Sequence, residues 1–238
     1  MTEPDINPGD AKTWTRDYDA RMRDYYGRRA PEYEVTYAKP ERQTDLAVLR
    51  AKAASCFAGR RVIDVACGTG YWSALLAQSA AEVVGIDANE AALSIAREKN
   101  LQAANGAARF RGGDAYALTD DLAPDGKPFD AAFVGFLWSH VPRAETARFL
   151  ASLHARLAPS ARVVILDNLY VAGSSTPIAF TDVGGNTWQR RALADGSTHH
   201  VLKNFPEREE LTATVGTNAT ATHWWRLDYY WWFEYRLR

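Results

Sequence analysis

The sequence is poor in cysteine and contains no long apolar run. Cys56 and Cys67 are its two cysteines among 238 residues, which is too few for a disulfide framework. We therefore expect reduced thiols in a cytoplasmic protein. No apolar stretch approaches the ~20 residues that a membrane-spanning helix needs, and no signal peptide is recognisable. These features predict a protein without a membrane partner.

An excess of charge of either sign is also absent. The chain has 28 Lys and Arg against 29 Asp and Glu, so its formal net charge is −1. This balance gives no electrostatic reason to expect a nucleic-acid partner. The five histidines lack the paired cysteine or carboxylate spacing of metal sites, so we predict no metal. Hydrophobic residues make up 47% of the chain, which is enough for a sizeable core.

The stretch RVIDVACGTGYWSA at residues 61–74 has the pattern of a strand, a glycine turn and a helix. Its short apolar run, interrupted by Asp64, is typical of a buried parallel strand. Gly68 and Gly70 allow a sharp turn and close ligand approach, and the next helix begins with unpaired N–H groups. A dinucleotide fingerprint would need a third glycine where Ser73 stands, and no P-loop occurs. A tight turn without a ligand is the alternative.

Acidic residues end the next two predicted strands. EVVGID at residues 82–87 predicts a buried strand ending in Asp87, whose carboxylate could accept both ribose hydroxyls of a nucleoside. Alternatively, Asp87 caps the helix predicted for residues 90–99. The third strand is predicted within FRGGDA at residues 110–115, where Asp114 either contacts a ligand or occupies a plain turn.

In this order, the motifs between residues 60 and 170 resemble those of the class I S-adenosylmethionine-dependent methyltransferases, and of their quinone-biosynthesis type in particular. The resemblance implies a doubly wound, Rossmann-like α/β fold, with a seven-stranded, mostly parallel sheet, one antiparallel strand and helices on both faces. It also implies S-adenosyl-L-methionine (SAM) as the cofactor and S-adenosyl-L-homocysteine (SAH) as its product. The cofactor contacts that it implies are Tyr33, Asp64, Ala66, Gly68, Gly70, Asp87, Ala88, Gly113, Asp114, Ala115 and Phe136.

Residues 1–40 are predicted to form a polar tail followed by a tyrosine-rich, cofactor-capping helical segment. The tyrosines recur at roughly helical spacing, which also favours a plain amphipathic helix packed on the sheet. The run YYGRRAPEYE resembles the segment that closes over the methionine end of the cofactor in quinone-type methyltransferases. On that resemblance Tyr33 is the candidate closing residue, with Tyr26 or Tyr37 nearby.

Residues 41–238 are expected to form the methyltransferase domain, with a lid-like insertion at about residues 172–204. The insertion is rich in Gly, Ser, Thr and Asp, and long loops inside compact domains are often functional. After it we expect a last helix and two aromatic-rich strands that complete the sheet and pack in its core. The candidate substrate contacts, at strand ends and in the insertion, are Tyr26, Trp138, Asn168, Tyr170, Trp188 and Arg191.

The resemblance implies methyl transfer to an oxygen or nitrogen atom of a small, aromatic or heterocyclic molecule. His140 follows the fourth predicted strand and is the candidate general base, because imidazole titrates near neutral pH. It could instead be a helix-cap or packing residue, with His199 and His200 as rivals if the insertion folds inward. A tRNA or protein methyltransferase and a non-catalytic SAM-binding scaffold are the alternative functions. We expect a monomer or a homodimer.

Overall fold

The computed structural model describes residues 14–99, 108–123 and 125–238. The polar tail predicted for the first dozen residues lies outside these ranges. The N-terminal segment is helical: α1 spans Trp14–Arg29, and 3₁₀ turns follow at Ala30–Ala38 and Pro40–Arg42 before α2 at Gln43–Phe57. No helix in the described ranges is long and apolar enough to cross a membrane.

A seven-stranded sheet is the centre of the fold, as predicted. Its strands are β1 Arg61–Val65, β2 Glu82–Asp87, β3 Ala108–Gly112, β4 Phe129–Gly135, β5 Leu157–Asn168, β9 Ala219–Arg226 and β10 Tyr230–Leu237. Their order is β3-β2-β1-β4-β5-β10-β9. Neighbours from β3 to β5 pair in parallel, and β10 pairs antiparallel with both β5 and β9. Within this sheet β10 is therefore the one reversed strand.

Four short helices connect the strands. They are α3 Tyr71–Leu76, α4 Glu90–Glu98, α5 Thr146–His154 and α6 Arg208–Val215. The side chain of Asn89 caps α4 by accepting from the N–H groups of Ala91 and Ala92 at 3.0 and 3.4 Å. Helix capping was the alternative role predicted for Asp87. In the structure Asn89, two residues later, caps the helix instead.

Alternation along the strands builds a core on each face of the sheet. Val62 packs on one face with α2 and α3, whereas Ile63 packs on the other with α5 and α6. The aromatic strand β10 divides in the same way: Trp232 lies on the first face and Trp231 on the second, both essentially fully buried. The prediction that this aromatic cluster is core is confirmed. Full burial of one such side chain contributes on the order of 2 kcal/mol.

Residues 172–204 form a small sheet, where the sequence suggested a loop. The strands β6 Ile178–Thr181, β7 Thr187–Ala192 and β8 Thr198–Leu202 pair antiparallel. The glycine-rich composition belongs to the two hairpin turns, in which Gly185 and Gly196 have φ of 76° and 82°. The small sheet shares a hydrophobic core with α1, in which Tyr18 meets Trp188 edge to face at 5.5 Å.

Candidate active site

The turn after β1 is built from left-handed residues. Ala66, Gly68 and Gly70 have φ of 59°, 55° and 77°. A Cβ on Gly68 would meet nothing within 4 Å, so this position opens into free space. A Cβ on Gly70 would instead lie 3.0 Å from Phe110 and 3.1 Å from Ala96. The first glycine therefore allows a ligand to approach, whereas the second lets the turn pack against β3 and α4.

Asp64 lies beneath this turn and does not face the space above it. The residue is 1% exposed, and its carboxylate accepts a hydrogen bond of 2.5 Å from the hydroxyl of Ser73 in α3. Burial raises the pKa of Asp64 to about 7, although the Ser73 bond opposes the shift. The serine that replaces a third glycine is thus the partner of the buried carboxylate. Together they tie β1 to the helix after the turn.

Asp87 connects the end of β2 to the same turn. Its Oδ2 accepts from the N–H of Gly68 and its Oδ1 from the N–H of Asn89, both at 2.8 Å. Burial raises the pKa of Asp87, and the backbone donors oppose that shift. Each carboxylate oxygen has a lone pair beyond the one that the backbone uses, so both can accept a further hydrogen bond from a ligand.

A cavity that we call the turn cavity lies above these groups, between the carboxyl ends of the strands and α1. It is lined by nine of the eleven cofactor residues predicted from the sequence: Tyr33, Ala66, Gly68, Asp87, Ala88, Gly113, Asp114, Ala115 and Phe136. The other two, Asp64 and Gly70, do not line it. Sequence reasoning missed the contributions of α1, which come from Tyr18, Met22 and Arg23.

Polar contacts hold the N-terminal segment over the turn cavity. The amide of Asn89 donates to the carbonyl of Arg23 at 2.8 Å. Glu34 accepts from the hydroxyl of Thr69 at 2.6 Å and pairs with Lys99. A Cβ on Gly27 would lie 2.8 Å from the side-chain amide nitrogen of Asn89, so a larger residue there would displace that side chain. No sequence motif predicted these contacts, because they join segments that are more than 30 residues apart in the chain.

A second cavity, which we call the polar cavity, adjoins the first and has a volume of about 620 Å³. This size is typical of small-molecule sites. Four side chains line both cavities and form their shared wall: Tyr26, Tyr33, Phe136 and His140. Asn168 and Arg191, two further residues predicted to contact substrate, line the polar cavity.

Three predicted substrate residues line neither cavity. Trp138 is buried in the core, edge to face with Phe149 at 6.0 Å. Trp188 is buried in the core shared by the small sheet and α1, and its indole N–H donates to Asp182 at 2.9 Å. Tyr170 packs on Phe205 and is 41% exposed. The sequence placed all three residues correctly, near a strand end or in the insertion. It did not determine the direction in which each side chain points.

His140 lies in the shared wall with both ring nitrogens engaged. Nδ1 is 2.6 Å from the carbonyl oxygen of Leu202, and Nε2 is 2.7 Å from the hydroxyl of Tyr26. Because a carbonyl can only accept, Nδ1 carries the proton and Nε2 accepts from Tyr26. Burial and the positive charges of Lys203 and Arg191 hold the pKa of His140 well below its ordinary value. The ring is therefore neutral and orients the phenol.

A buried ion pair supports this wall from behind. Lys203 donates to Asp167 at 2.8 Å, and their side chains are 6% and 0% exposed. Asp167 also accepts from the N–H of Ser139 at 2.9 Å, next to His140. Burial lowers the pKa of Lys203 to about 8, although the charge of Asp167 opposes this shift. Burial would raise the pKa of Asp167, but the charge of Lys203 outweighs it and the pKa is lowered. The pair joins β5, the 3₁₀ turn at Trp138–His140 and the segment after β8.

The rival histidines lie outside both cavities. His199 is buried beside Tyr25, with Nε2 2.9 Å from the hydroxyl of Ser197, and His200 packs against Phe180. In the part of the chain that the structure describes, no group of His, Cys, Asp and Glu could hold a metal ion.

The sequence is similar to those of known methyltransferases. Residues 62–160 match the model of a methyltransferase domain family. The chain is 30% identical over 172 residues to the demethylmenaquinone methyltransferase of Clavibacter sepedonicus, which covers 71% of this chain and 63% of the relative. Residues 62–160 are a class I S-adenosylmethionine-dependent methyltransferase domain.

A second curated relative and a solved structure extend the comparison. The 2-phytyl-1,4-naphtoquinone methyltransferase of Synechococcus elongatus is 37% identical over 113 residues, 46% of each chain. The chain thus spans between about half and two thirds of the length of these curated relatives. A structure described as a DhpI–SAH complex matches 92% of this chain and 96% of its own, with a TM-score of 0.72 and 24% identity. That likeness shows that the class I methyltransferase fold extends over nearly the whole chain.

Proposed function

We propose that this protein is a SAM-dependent methyltransferase that acts on a small molecule. The supporting observation is that two cavities of different character meet at one wall. The turn cavity carries the glycine turn and Asp87, and the polar cavity has the volume of a small-molecule site. A cofactor in the first and an acceptor in the second would meet at Tyr26, Tyr33, Phe136 and His140.

The residues of the turn cavity fit SAM. Asp87 would accept from both ribose hydroxyls, because each of its oxygens has a lone pair left after binding one backbone N–H. The left-handed turn at Gly68 leaves room for the cofactor. Asp114 would accept from the exocyclic amine of adenine, and Tyr33 would lie at the methionine end. When bound, SAM supplies an electrophilic sulfonium methyl group.

The chain's own contribution to the reaction is to orient the acceptor and exclude water. The N-terminal segment covers the turn cavity, and the neutral ring of His140 fixes the hydroxyl of Tyr26 in the shared wall. In this arrangement His140 acts as a positioning residue, and its role as a general base stays a prediction. The protein would work in the cytoplasm as a monomer or homodimer, without a nucleic-acid partner.

Turnover with a panel of acceptors tests the proposal. The purified chain is incubated with SAM and with phenols, amines, heterocycles, carboxylic acids and phosphonates, and SAH formation is measured. We expect SAH to accumulate with at least one class, and Asp87→Ala to suppress it. A chain that does not bind SAM contradicts the proposal. A chain that binds SAM but methylates no class would be the non-catalytic scaffold instead.

A further inference from the structure

The polar cavity carries far more positive than negative charge. Its described lining includes Arg29, Lys39, Arg42, Arg190, Arg191 and Lys203, whereas Glu32 is its one carboxylate. Lys203 is neutralised by Asp167, and Lys39 and Arg190 are exposed to solvent. Arg29, Arg42 and Arg191 are partly buried, so water screens their charges less.

These three guanidinium groups have no carboxylate partner among the described residues. Arg29 donates to the hydroxyl of Tyr25 at 3.5 Å, and Arg191 donates to the amide oxygen of Gln189 at 2.6 Å. Arg42 donates to side-chain oxygens of Asn168 and Ser174 at 3.2 and 3.1 Å. The Nε–H of Arg42 is buried and has no hydrogen-bond partner. A partly buried cation without an anionic partner is costly, so an anionic ligand that pairs with it is favoured.

Two of the cations lie at the wall where transfer would occur. Arg29 reaches Tyr25 and lies over the ring of Tyr33, with its carbon 5.6 Å from the ring centroid. Burial lowers the pKa of Arg191, but the phenols of Tyr26 and Tyr25 more than offset this and raise it. The positive potential also acts on the neighbours, since Arg191 contributes to the lowered pKa of both His140 and Lys203, after burial and other causes.

The same wall offers no free base. Nε2 of His140 already accepts from Tyr26, and Nδ1 holds its proton against the carbonyl of Leu202. The phenol of Tyr26 is protonated, because burial raises its pKa above the ordinary value. A neutral hydroxyl or protonated amine would therefore have to lose its proton without help. An acceptor that is already anionic needs no base.

We propose that the methyl acceptor is a small oxyanion, a carboxylate, phosphate or phosphonate, bound by Arg29 and Arg191 and methylated on its charged oxygen. This inference rests on the proposed function and specifies the acceptor of the same site. The planar guanidinium fork matches the oxygens of such groups bidentately. The oxyanion attacks the sulfonium methyl carbon of SAM, an O–C bond forms, and the electron pair of the broken C–S bond stays on the neutral sulfur of SAH. No proton is released.

Binding is measured first, by calorimetric titration of the SAH-saturated chain with methylphosphonate, with benzoate and with uncharged benzyl alcohol. We expect at least one oxyanion to bind and benzyl alcohol not to bind. The oxyanion that binds shows whether the site takes a phosphonate or a carboxylate. Arg191→Gln and Arg29→Gln should each weaken that binding about tenfold or more, with unchanged SAH affinity. Arg226→Gln, on the exposed edge strand β9, is the matched control and should change neither.

Binding of SAH without binding of either oxyanion would overturn the inference and leave the proposed function intact, whereas failure to bind SAH would overturn the proposed function itself. An unchanged oxyanion affinity in both arginine variants would also overturn the inference.

Proton release gives an independent test on turnover. An oxyanion that binds is supplied with SAM at a pH above its last pKa, and SAH and released protons are counted together. We expect SAH to form with no net proton release. One proton per SAH would show that a neutral group is methylated, and binding without turnover would show that the anion site does not hold the acceptor. Either result contradicts the inference.

Discussion

The two cavities that meet at Tyr26 and His140 are built in different ways. The turn cavity is formed by loops at the carboxyl ends of β1 to β4 and by α1, and its polar groups include backbone N–H groups and carboxylates such as Asp87. The polar cavity is formed by α1, its following 3₁₀ turn and the small sheet, and its polar groups are arginines. The first lies at the edge of the seven-stranded sheet, whereas much of the second lies on segments outside that sheet.

The comparison implies that the two cavities can be damaged separately. Changes at the strand ends should alter cofactor affinity and leave acceptor binding intact. Changes in the small sheet should do the reverse, whereas α1 lines both cavities. Four predictions, with five substitutions, test this separation, from the largest expected effect on the cavities to the smallest.

Lys203→Met should have the largest effect, because it leaves the carboxylate of Asp167 buried without its cation. Loss of one partner of a buried pair costs about 3–5 kcal/mol. Urea unfolding of the variant and the wild type should show that loss in the free energy of unfolding. Lys127→Met, an exposed lysine with 74% side-chain exposure, is the control and should stay within about 0.5 kcal/mol. A loss below about 1 kcal/mol at Lys203 would mean that the pair does not hold the wall.

Asp87→Ala should weaken SAH binding about tenfold or more, since each hydrogen bond to a charged group contributes about 1.5–3 kcal/mol. Calorimetric titration measures the dissociation constant. Asp228→Ala, in the exposed turn between β9 and β10, should leave it unchanged. Equal SAH affinity in wild type and Asp87→Ala would remove Asp87 from the ribose site.

Tyr26→Phe and His140→Ala should slow methyl transfer about fivefold to tenfold without changing SAH affinity, because each removes a hydrogen bond worth about 1 kcal/mol that orients the shared wall. Tyr235→Phe removes a comparable bond of 2.6 Å to His154 far from both cavities and is the matched control. Deprotonation of His140 should cause no rise of the wild-type rate with pH through neutrality, since the pKa of His140 is well below its ordinary value near 6.5. A rate that rises with pH through neutrality, and loses this rise in His140→Ala, would restore His140 as a general base.

Asp64→Asn should have the smallest effect on the two cavities, because Asp64 lines neither, and it should act on stability instead. The folded pKa of about 7 lies above the ordinary 3.8, so the folded chain binds more protons than the unfolded chain between these values. This carboxyl therefore removes stability as pH rises from about 4 to 7. The free energy of unfolding of Asp64→Asn relative to wild type should increase over that window by about 3 kcal/mol, since each unit of pKa shift corresponds to about 1.4 kcal/mol. Urea unfolding at each pH measures this difference. A difference that is constant with pH would show that Asp64 is ionised in the folded chain throughout.

The contrast between the cavities also explains how much the sequence could predict. The strand–turn–helix pattern around Gly68 and the acidic end of β2 are local, so nine of the proposed cofactor residues could be placed from short motifs and do line the turn cavity. Arg29, Arg42 and Lys203 line one cavity only because of tertiary packing, and no role was predicted for them from the sequence. The composition of residues 172–204 was interpreted as a loop, although D-G and G-G turns between short β-forming runs could have indicated hairpins.

Side-chain direction was the other limit. Trp138 and Asn168 both lie at strand ends near the expected ligand rim, but Trp138 turns into the core while Asn168 faces the polar cavity. Asp167 is the last residue but one of β5, and Asp87 is the last residue of β2, so an acidic strand end was a usable signal for the buried pair with Lys203. Its partner, 36 residues later, could not be inferred from spacing.

The most direct test of the account is calorimetric titration of the wild-type chain with SAH, with NAD as the control ligand. The account predicts micromolar binding of SAH and no binding of NAD, because Asp87 and the turn at Gly68 suit a nucleoside while the third glycine of a dinucleotide site is replaced by Ser73. Binding of neither ligand would contradict it, since the turn cavity would then be a structural feature and not a cofactor site.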